Sequence, residues 1–589
     1  MTSAEKDRGR SGVAKRALVA LALGLGAASW VPQAEAADAP AAAPAAPVCD
    51  PYKTYDCLDK YLGDGIWDRF INYYELEWGQ SGPPTDPKAP PTRRDYWPAT
   101  PMTTPPMPFT EWPYGGEDSM GVTTPNSIDS PFMTAIANTS VGKWMSDNHF
   151  QVYGWINGGA NISSSTTKPG GNSPAAYAYN PNEVTLDQAV LYWDRFPDTV
   201  QKDHYDWGMR ISAIYGTNYR YTTEFGMDSW QYLAKNKPMG YDFPMLWLEL
   251  FDPFVMEGLQ VRVGRYISVP DIEAQLGPNN YMYSHSMTYA FDNYTNTGII
   301  TSLAVTPRFF LQFGVSDGTE ASIPHLKATV GNPYQFVNLP ANPATGFAGY
   351  SGLNPLFPQA SFKKDPGAMP SFSLCARYQT QDGNDDLNLC ADGINKGTWG
   401  YNNMQWYGGT YYHKFNDKWH LAYELYTVFV KDVPNLNNPV VQAMNAAYGG
   451  PLGADGGTPF TPLQGFNYNA PNEAYCLGNT SSIGGPLKCT SHNTASVAYL
   501  NYQSDPLNNF SIRPEFFEDG QGQRTGAPTR YFNFGLGWQH WLSPQITLRP
   551  EIVWYHAFNA PAFNGNADAG ILPNKKSEVI LSGDVIWHF

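Results

Sequence analysis

The sequence predicts an all-β fold: a transmembrane antiparallel β-barrel of about 14 strands, with short turns at one end and long loops at the other. Three observations lead there. Aromatic residues make up 15% of the 589 residues, Gly and Pro are abundant, and charged residues are only 15%, against roughly 25% in soluble domains. From about His149 onward, short blocks alternate apolar and polar residues with a period of two, as strands with two unlike faces do. The chain closes on "LSGDVIWHF", where Leu581, Gly583, Val585, Trp587 and Phe589 share one face and Ser582, Asp584 and His588 the other. That is an amphipathic strand ending on an aromatic residue.

Taken in chain order, Lys6, Arg8, Arg10, Lys15 and Arg16 precede the apolar run "ALVALALGLGAASWV" and then "AEA" at Ala34 to Ala36. This is the pattern of a secretory signal peptide, expected over 1–36, and the run is shorter than the roughly 20 residues a spanning helix needs. Its removal takes away five basic and three acidic residues and moves the net charge from -16 to -18, so nucleic acid is not an expected partner. Residues 37–148 read as a Pro-rich periplasmic extension. Within it, 81–113 is too rich in Pro for helix or ladder, and "LDKYLGDGIWDRFINYYELEW" reads as a short amphipathic helix, serving as a plug, a tether or a solvated leader. Six cysteines remain in an exported chain and are expected as local disulfides: Cys49 with Cys57, Cys375 with Cys390, Cys476 with Cys489.

The barrel is expected over 149–589. Strands are read at 149–160, 184–196, 205–217, 245–252, 258–266, 297–306, 309–317, 399–415, 418–431, 494–504, 507–518, 530–542, 545–558 and 576–589. In "YDWGMRISAIYG" Arg210 opposes an apolar set, and in "GLQVRVG" Arg262 does. Tight connections such as "TPR", "FNDK", "DPLNN" and "SP" contrast with the long stretches from Asp317 to Lys396 and from Asp432 to Thr494, each holding a cysteine pair. Short periplasmic turns and long outer loops are the asymmetry of an outer-membrane barrel. "MYSHSMTYAF", or the stretch after Asp317, has room for another strand pair, which makes sixteen the alternative count.

The polar faces should line the lumen. Arg210, Arg262, Glu424 and Asp584 are candidates, with two similar stretches, "FSIRPEFFED" and "ITLRPEIVWYH". In these, Arg513, Glu515, Arg549 and Glu551 alternate with apolar residues. An Arg facing lipid at the midplane costs roughly 2 to 4 kcal/mol, so the four should point inward. They are expected on the lower lumen wall, pairing with one another or only holding strand register, with Pro514 and Pro550 near the periplasmic rim and a bulge at each. Gly535 and Gly537 on the intervening strand leave room for long side chains. Asp382, Asp385, Asp386 and Asp392, expected in an outer loop, should draw cations to the mouth. Trp419, Trp538, Trp541 and Trp587 read as interface girdles, or as a sugar-stacking stripe inside the pore.

No catalytic motif stands out: GxSxG, HExxH and a phosphate-binding Gly-rich loop are all missing from the sequence. His413 and His420, facing across "FNDK", would make a poor metal pair, and "DGNDDLNLCAD" lacks full calcium-loop spacing. No metal or other cofactor is expected. "YMYSHSMTYAFDNYTNTGII", "RPEFFEDGQGQRTG", "RYFNFGLGWQHWLSPQITLRPEI" and "SGDVIWHF" resemble the β-barrel porins of the OmpL-like type from Gram-negative outer membranes, over roughly Trp144 to Phe589. The resemblance implies a channel for passive diffusion of small hydrophilic solutes or ions, set in outer-membrane lipid, not an enzyme. Its last strand would address it to the barrel-assembly machinery. A barrel that only scaffolds an enzymatic or adhesive role of its long loops is the alternative, and association into a homotrimer is left open.

Overall fold

Alternation turns one row of each strand outward and the other inward. In Leu246–Asp252, Leu246, Leu248 and Leu250 are exposed while Trp247, Glu249 and Phe251 are buried. The same rule gives a lipid-facing apolar band around the whole wall and a polar interior. The computed structural model describes residues 49–51, 54–78 and, with short interior gaps, 130–589; the longest stretches outside are 1–48, 79–129, 320–335, 354–369, 396–403 and 449–475. The expected signal peptide and the Pro-rich stretch 81–113 lie outside the described residues.

Sixteen strands close into one antiparallel barrel. They are β1 (Phe150–Ser163), β2 (Val184–Arg195), β3 (Asp206–Gly216), β4 (Leu246–Asp252), β5 (Leu259–Ile267), β6 (Thr295–Thr306), β7 (Phe309–Thr319) and β8 (Ser371–Gln379). There follow β9 (Asp385–Ile394), β10 (Met404–Lys414), β11 (Trp419–Pro434), β12 (Lys488–Asp505), β13 (Asn508–Asp519), β14 (Thr529–Ser543), β15 (Ile546–Leu548 and Glu551–Ala557) and β16 (Ser577–His588). A short segment, Gly240–Asp242, continues the wall beside β3 ahead of β4. The ring closes between β1 and β16, with Trp155 opposite His588.

The count corrects the expected 14 to the alternative of sixteen. The missed pair is β8 and β9, inside the stretch read as an outer loop. Cys375 and Cys390 are directly opposite on these two strands and bonded across them, so this disulfide lies in the wall. The turn after β8 is at the short-turn end; Asp382 and Asp385 therefore sit at that rim, and Asp386 and Asp392 on the inner wall, not in an outer loop. "MYSHSMTYAF" is not a strand. Cys476 and Cys489 are bonded where the outer loop returns to β12, and Cys49 and Cys57 are likewise in disulfides.

The tight turns share one device. A side-chain oxygen at the end of the incoming strand or in the turn accepts backbone N–H groups: Thr306 from Phe309 at 3.0 Å, Asn416 from Lys418 at 2.9 Å, Asp505 from Leu507 at 3.0 Å and Ser543 from Gln545 at 3.2 Å. Such local bonds replace the ladder where it must end. The outer loops carry a small core of their own, in which Val337, Leu339 and Phe347 cluster with Val441 and Met444 of a helix, Pro439–Tyr448.

Among the described residues, four helices precede the barrel: α1 (Tyr55–Leu62), α2 (Ile66–Glu77), α3 (Pro131–Ile136) and α4 (Ser140–Asp147). Arg69 of α2 is buried and donates to the Thr134 carbonyl at 3.0 and 3.1 Å, joining the two helix pairs. Tyr74 donates to the His588 carbonyl, and Ser130 donates to that of Phe589 at 3.2 Å, so the helices hold the end of β16. The opposite side of α2 leaves Ile66, Trp67 and Ile71 exposed, with Trp78 exposed just beyond it, and Tyr74 lies beside the outward ring of Trp587.

Candidate functional site

Between β5 and β6 the chain turns into the barrel. Residues 271–292 cross the lumen, with a short helix, α5 (Met287–Ala290), on the way. Leu276, Tyr281, Met282, Tyr283 and Met287 are all buried. The loop leaves the wall at β5 and β6 and meets it again around β13 to β16, on the far side of the sixteen-stranded ring. A segment with this many backbone amides can be buried only if the wall supplies partners for them.

The wall does so with the residues the sequence singled out. Glu515 of β13 accepts from the Thr288 N–H at 2.5 Å and the Thr288 hydroxyl at 2.8 Å, capping the start of α5. Glu551 of β15 accepts from the Ser284 N–H at 3.1 Å. Arg513 donates to the Ser284 carbonyl and hydroxyl, and Arg549 to the carbonyls of Gly277 and Asn280. Glu424 of β11 accepts from the Ile272 N–H at 3.0 Å. The four residues of the two RPE stretches are thus buried and hold the inward loop. Arg549 forms an ion pair with Asp584 on β16 (Nε to Oδ1, 3.0 Å), and Arg513 lies 3.7 Å from Glu273 of the loop.

Two further expectations fail. Pro514 lies halfway along β13, not at the rim, at the level where the inward loop meets the wall. Neither Pro makes a bulge: the β12–β13 register is the same on both sides of Pro514, and that of β14 and β16 with β15 is the same on both sides of Pro550. Each ladder skips a pairing without inserting a residue. Gly535 and Gly537 do leave room, and the occupant is Met282 of the loop; a Cβ on Gly537 would come within 2.6 Å of its Cγ.

Arg210 on β3 pairs with Asp194 on β2 (Nε to Oδ1, 3.2 Å), and Arg262 on β5 with Glu249 on β4 (Nη2 to Oε2, 2.7 Å); all four are buried. Sequence reading missed the equivalent pairs Arg265 with Asp242 and Arg377 with Asp386, each at 2.7 Å. It also missed the loop itself, whose only sequence signal is a polar and aromatic run without strand alternation. His413 and His420 diverge, the first 2.7 Å from Asp385 and the second 3.1 Å from the Tyr281 hydroxyl. Trp419 and Trp587 are outward, as a girdle requires, whereas Trp541 is buried on the inner side. Burial pushes the Glu273 carboxyl up from its ordinary value, against the pull of Arg513.

A closed sixteen-stranded barrel with an apolar outer band, short turns at one end and a loop folded across its lumen is an outer-membrane channel of the Gram-negative envelope. The family model described as "Putative beta-barrel porin-2, OmpL-like" matches residues 149–589, and the chain belongs to that family. Similar solved structures include the outer membrane channel DcaP of Acinetobacter baumannii, with 10% identity and a TM-score of 0.40 over 75% of this chain and 97% of that one. An anion-selective porin from Comamonas acidovorans has 10% identity and a TM-score of 0.40 over 75% and 99%. OprB of Pseudomonas putida has 8% identity and a TM-score of 0.37 over 77% and 98%. No curated protein is a significant sequence match.

Proposed function

We propose that this porin passes small hydrophilic cations in preference to anions, by passive diffusion through a lumen narrowed by the inward loop. One observation carries the reading: among the described residues from 149 onward, the buried charged side chains are seventeen carboxylates against seven arginines, with no lysine. Six of the arginines, Arg210, Arg262, Arg265, Arg377, Arg513 and Arg549, already face a partner carboxylate. The excess is negative, and low-dielectric walls focus its field along the axis. Arg210, Arg262, Glu424, Arg513, Glu515, Arg549, Glu551 and Asp584 are the pore-lining residues on this reading. Their near-complete burial supports a narrow passage.

Membership of a porin family supports a channel rather than an enzyme. The helices before the barrel lie on its periplasmic side in this reading, with the apolar face of α2 against the inner leaflet, continuous with Trp587. Export by the peptide at 1–36 and recognition of the final strand by the barrel-assembly machinery belong to the same proposal.

The test is the reversal potential of the purified protein in a planar bilayer under a potassium chloride gradient. Cation preference is expected, weakening at 1 M salt, where the Debye length is about 3 Å. Anion preference rejects the reading.

A further inference from the structure

Each stem of the inward loop carries a buried aspartate, Asp271 at the start and Asp292 at the end, and Glu424 points inward from β11 to meet both. One carboxylate oxygen from each of the three lies within 4.8 Å of the other two. Relative exposures are 8% for Asp271, 0% for Asp292 and 1% for Glu424. Elsewhere in the lumen, carboxylates such as Asp584, Glu515 and Glu551 receive donors on both oxygens. Asp187 and Glu578 leave one oxygen without a hydrogen bond, but among the described residues only this cluster brings three carboxylates together. Glu424 spends Oε2 on the Ile272 N–H, while its Oε1 and the Oδ1 of Asp271 accept no hydrogen bond.

Buried carboxylate oxygens turned toward one another are costly unless a proton or a cation stands between them. The geometry fits a cation. Two oxygens held at 2.3 to 2.6 Å by one calcium ion lie at most about 5 Å apart, and hard oxygen donors with an anionic charge are what calcium takes. Magnesium holds ligands at about 2.1 Å and keeps more of its waters, so three convergent carboxylates suit it less. We propose that Asp271, Asp292 and Glu424 bind one divalent cation, of the calcium class, which clasps both stems of the inward loop to β11. The far end of the loop is held independently by Glu515, Glu551 and Arg549, and Arg524 donates to the carbonyls of Phe291 and Asp292 at 3.1 Å each, so loss of the cation loosens the first stem, at Asp271, and leaves the second stem and the tip docked. Binding itself does not depend on what the channel passes; the effect on permeation rests on the channel reading.

The experiment uses the full mature chain refolded into bilayers free of lipopolysaccharide, with calcium-45 as the probe in equilibrium dialysis and single-channel conductance as a separate readout. Wild type should bind one calcium per chain. D271N and E424Q should each weaken binding at least about tenfold, because ligand charge sets calcium affinity. D382N, at the exposed short-turn rim, should leave it unchanged. Asp271 is outside the strands, so D271N tests the site even if E424Q impairs folding, and heat-modifiable migration on gels reports folding for both. Chelation should alter the conductance of wild type and not of D271N. Equal binding in wild type and both variants places the ion elsewhere and overturns the site; no binding in wild type overturns it in favour of carboxyls sharing protons. Loss of binding in the variants with conductance unmoved by chelation keeps the site and rejects the clasp.

Discussion

Gly535 and Gly537 flatten the inner face of β14 at the level where Met282 packs. A side chain there competes for that space, while a β-branched residue suits the strand itself. Gly537→Val should therefore leave the barrel folded, by heat-modifiable migration, yet displace the loop and change single-channel conductance; unchanged conductance would show that Met282 does not fix the loop. The pair Arg549 and Asp584 gives a second residue-level expectation. Both are buried, and removing one partner strands the other charge, at about 3 to 5 kcal/mol. Asp584→Asn should lower stability by that order in urea titrations from lipid vesicles. Arg549→Met added to it should recover part of the loss, although Arg549 also serves the carbonyls of Gly277 and Asn280.

At the scale of elements, the two barrel disulfides do different work. Closing a loop of 15 residues constrains the unfolded chain by about 3 kcal/mol in the chain-entropy model, and Cys375 and Cys390 are 15 residues apart. Because this bridge joins neighbouring wall strands, Cys375→Ser with Cys390→Ser should lower global stability by up to that amount and leave outer-loop proteolysis unchanged. The outer segment after β3 should respond to pH. Burial raises the Glu224 carboxyl from 4.5 to about 7, with Arg265 and Thr297 opposing the shift, and raises Asp228 to about 6. A folded-state value above the unfolded one means that the folded state binds the proton more tightly. This contribution to stability is full below about 4.5 and is lost as pH rises through 7. Hydrogen exchange at residues 219–222, corrected for intrinsic rates, should show protection falling from pH 5 to pH 8, and Glu224→Gln should flatten the profile.

Across the whole molecule, the interior charge decides which ions the channel favours, and the loop decides how Glu515 acts. Since Glu515 caps α5 through Thr288, Glu515→Gln removes a charge and weakens a cap together. It should shift reversal potential toward anions and also raise current noise. A shift with quiet current would mean that Glu515 contributes charge alone.

The sequence by itself determined the wall. Period-two alternation placed fourteen strands, the closing one among them, because facing lipid on one side and polar groups on the other is a constraint each strand carries alone. It passed over β8 and β9 because Cys375 and Cys390 read as a loop staple, although Phe372, Leu374, Ala376 and Tyr378 do alternate. Only the tertiary structure decided what the inward face meets. The loop at 271–292 has no periodicity of its own, since its backbone is satisfied by side chains more than a hundred residues away, and pairing across such distances leaves no local pattern to read.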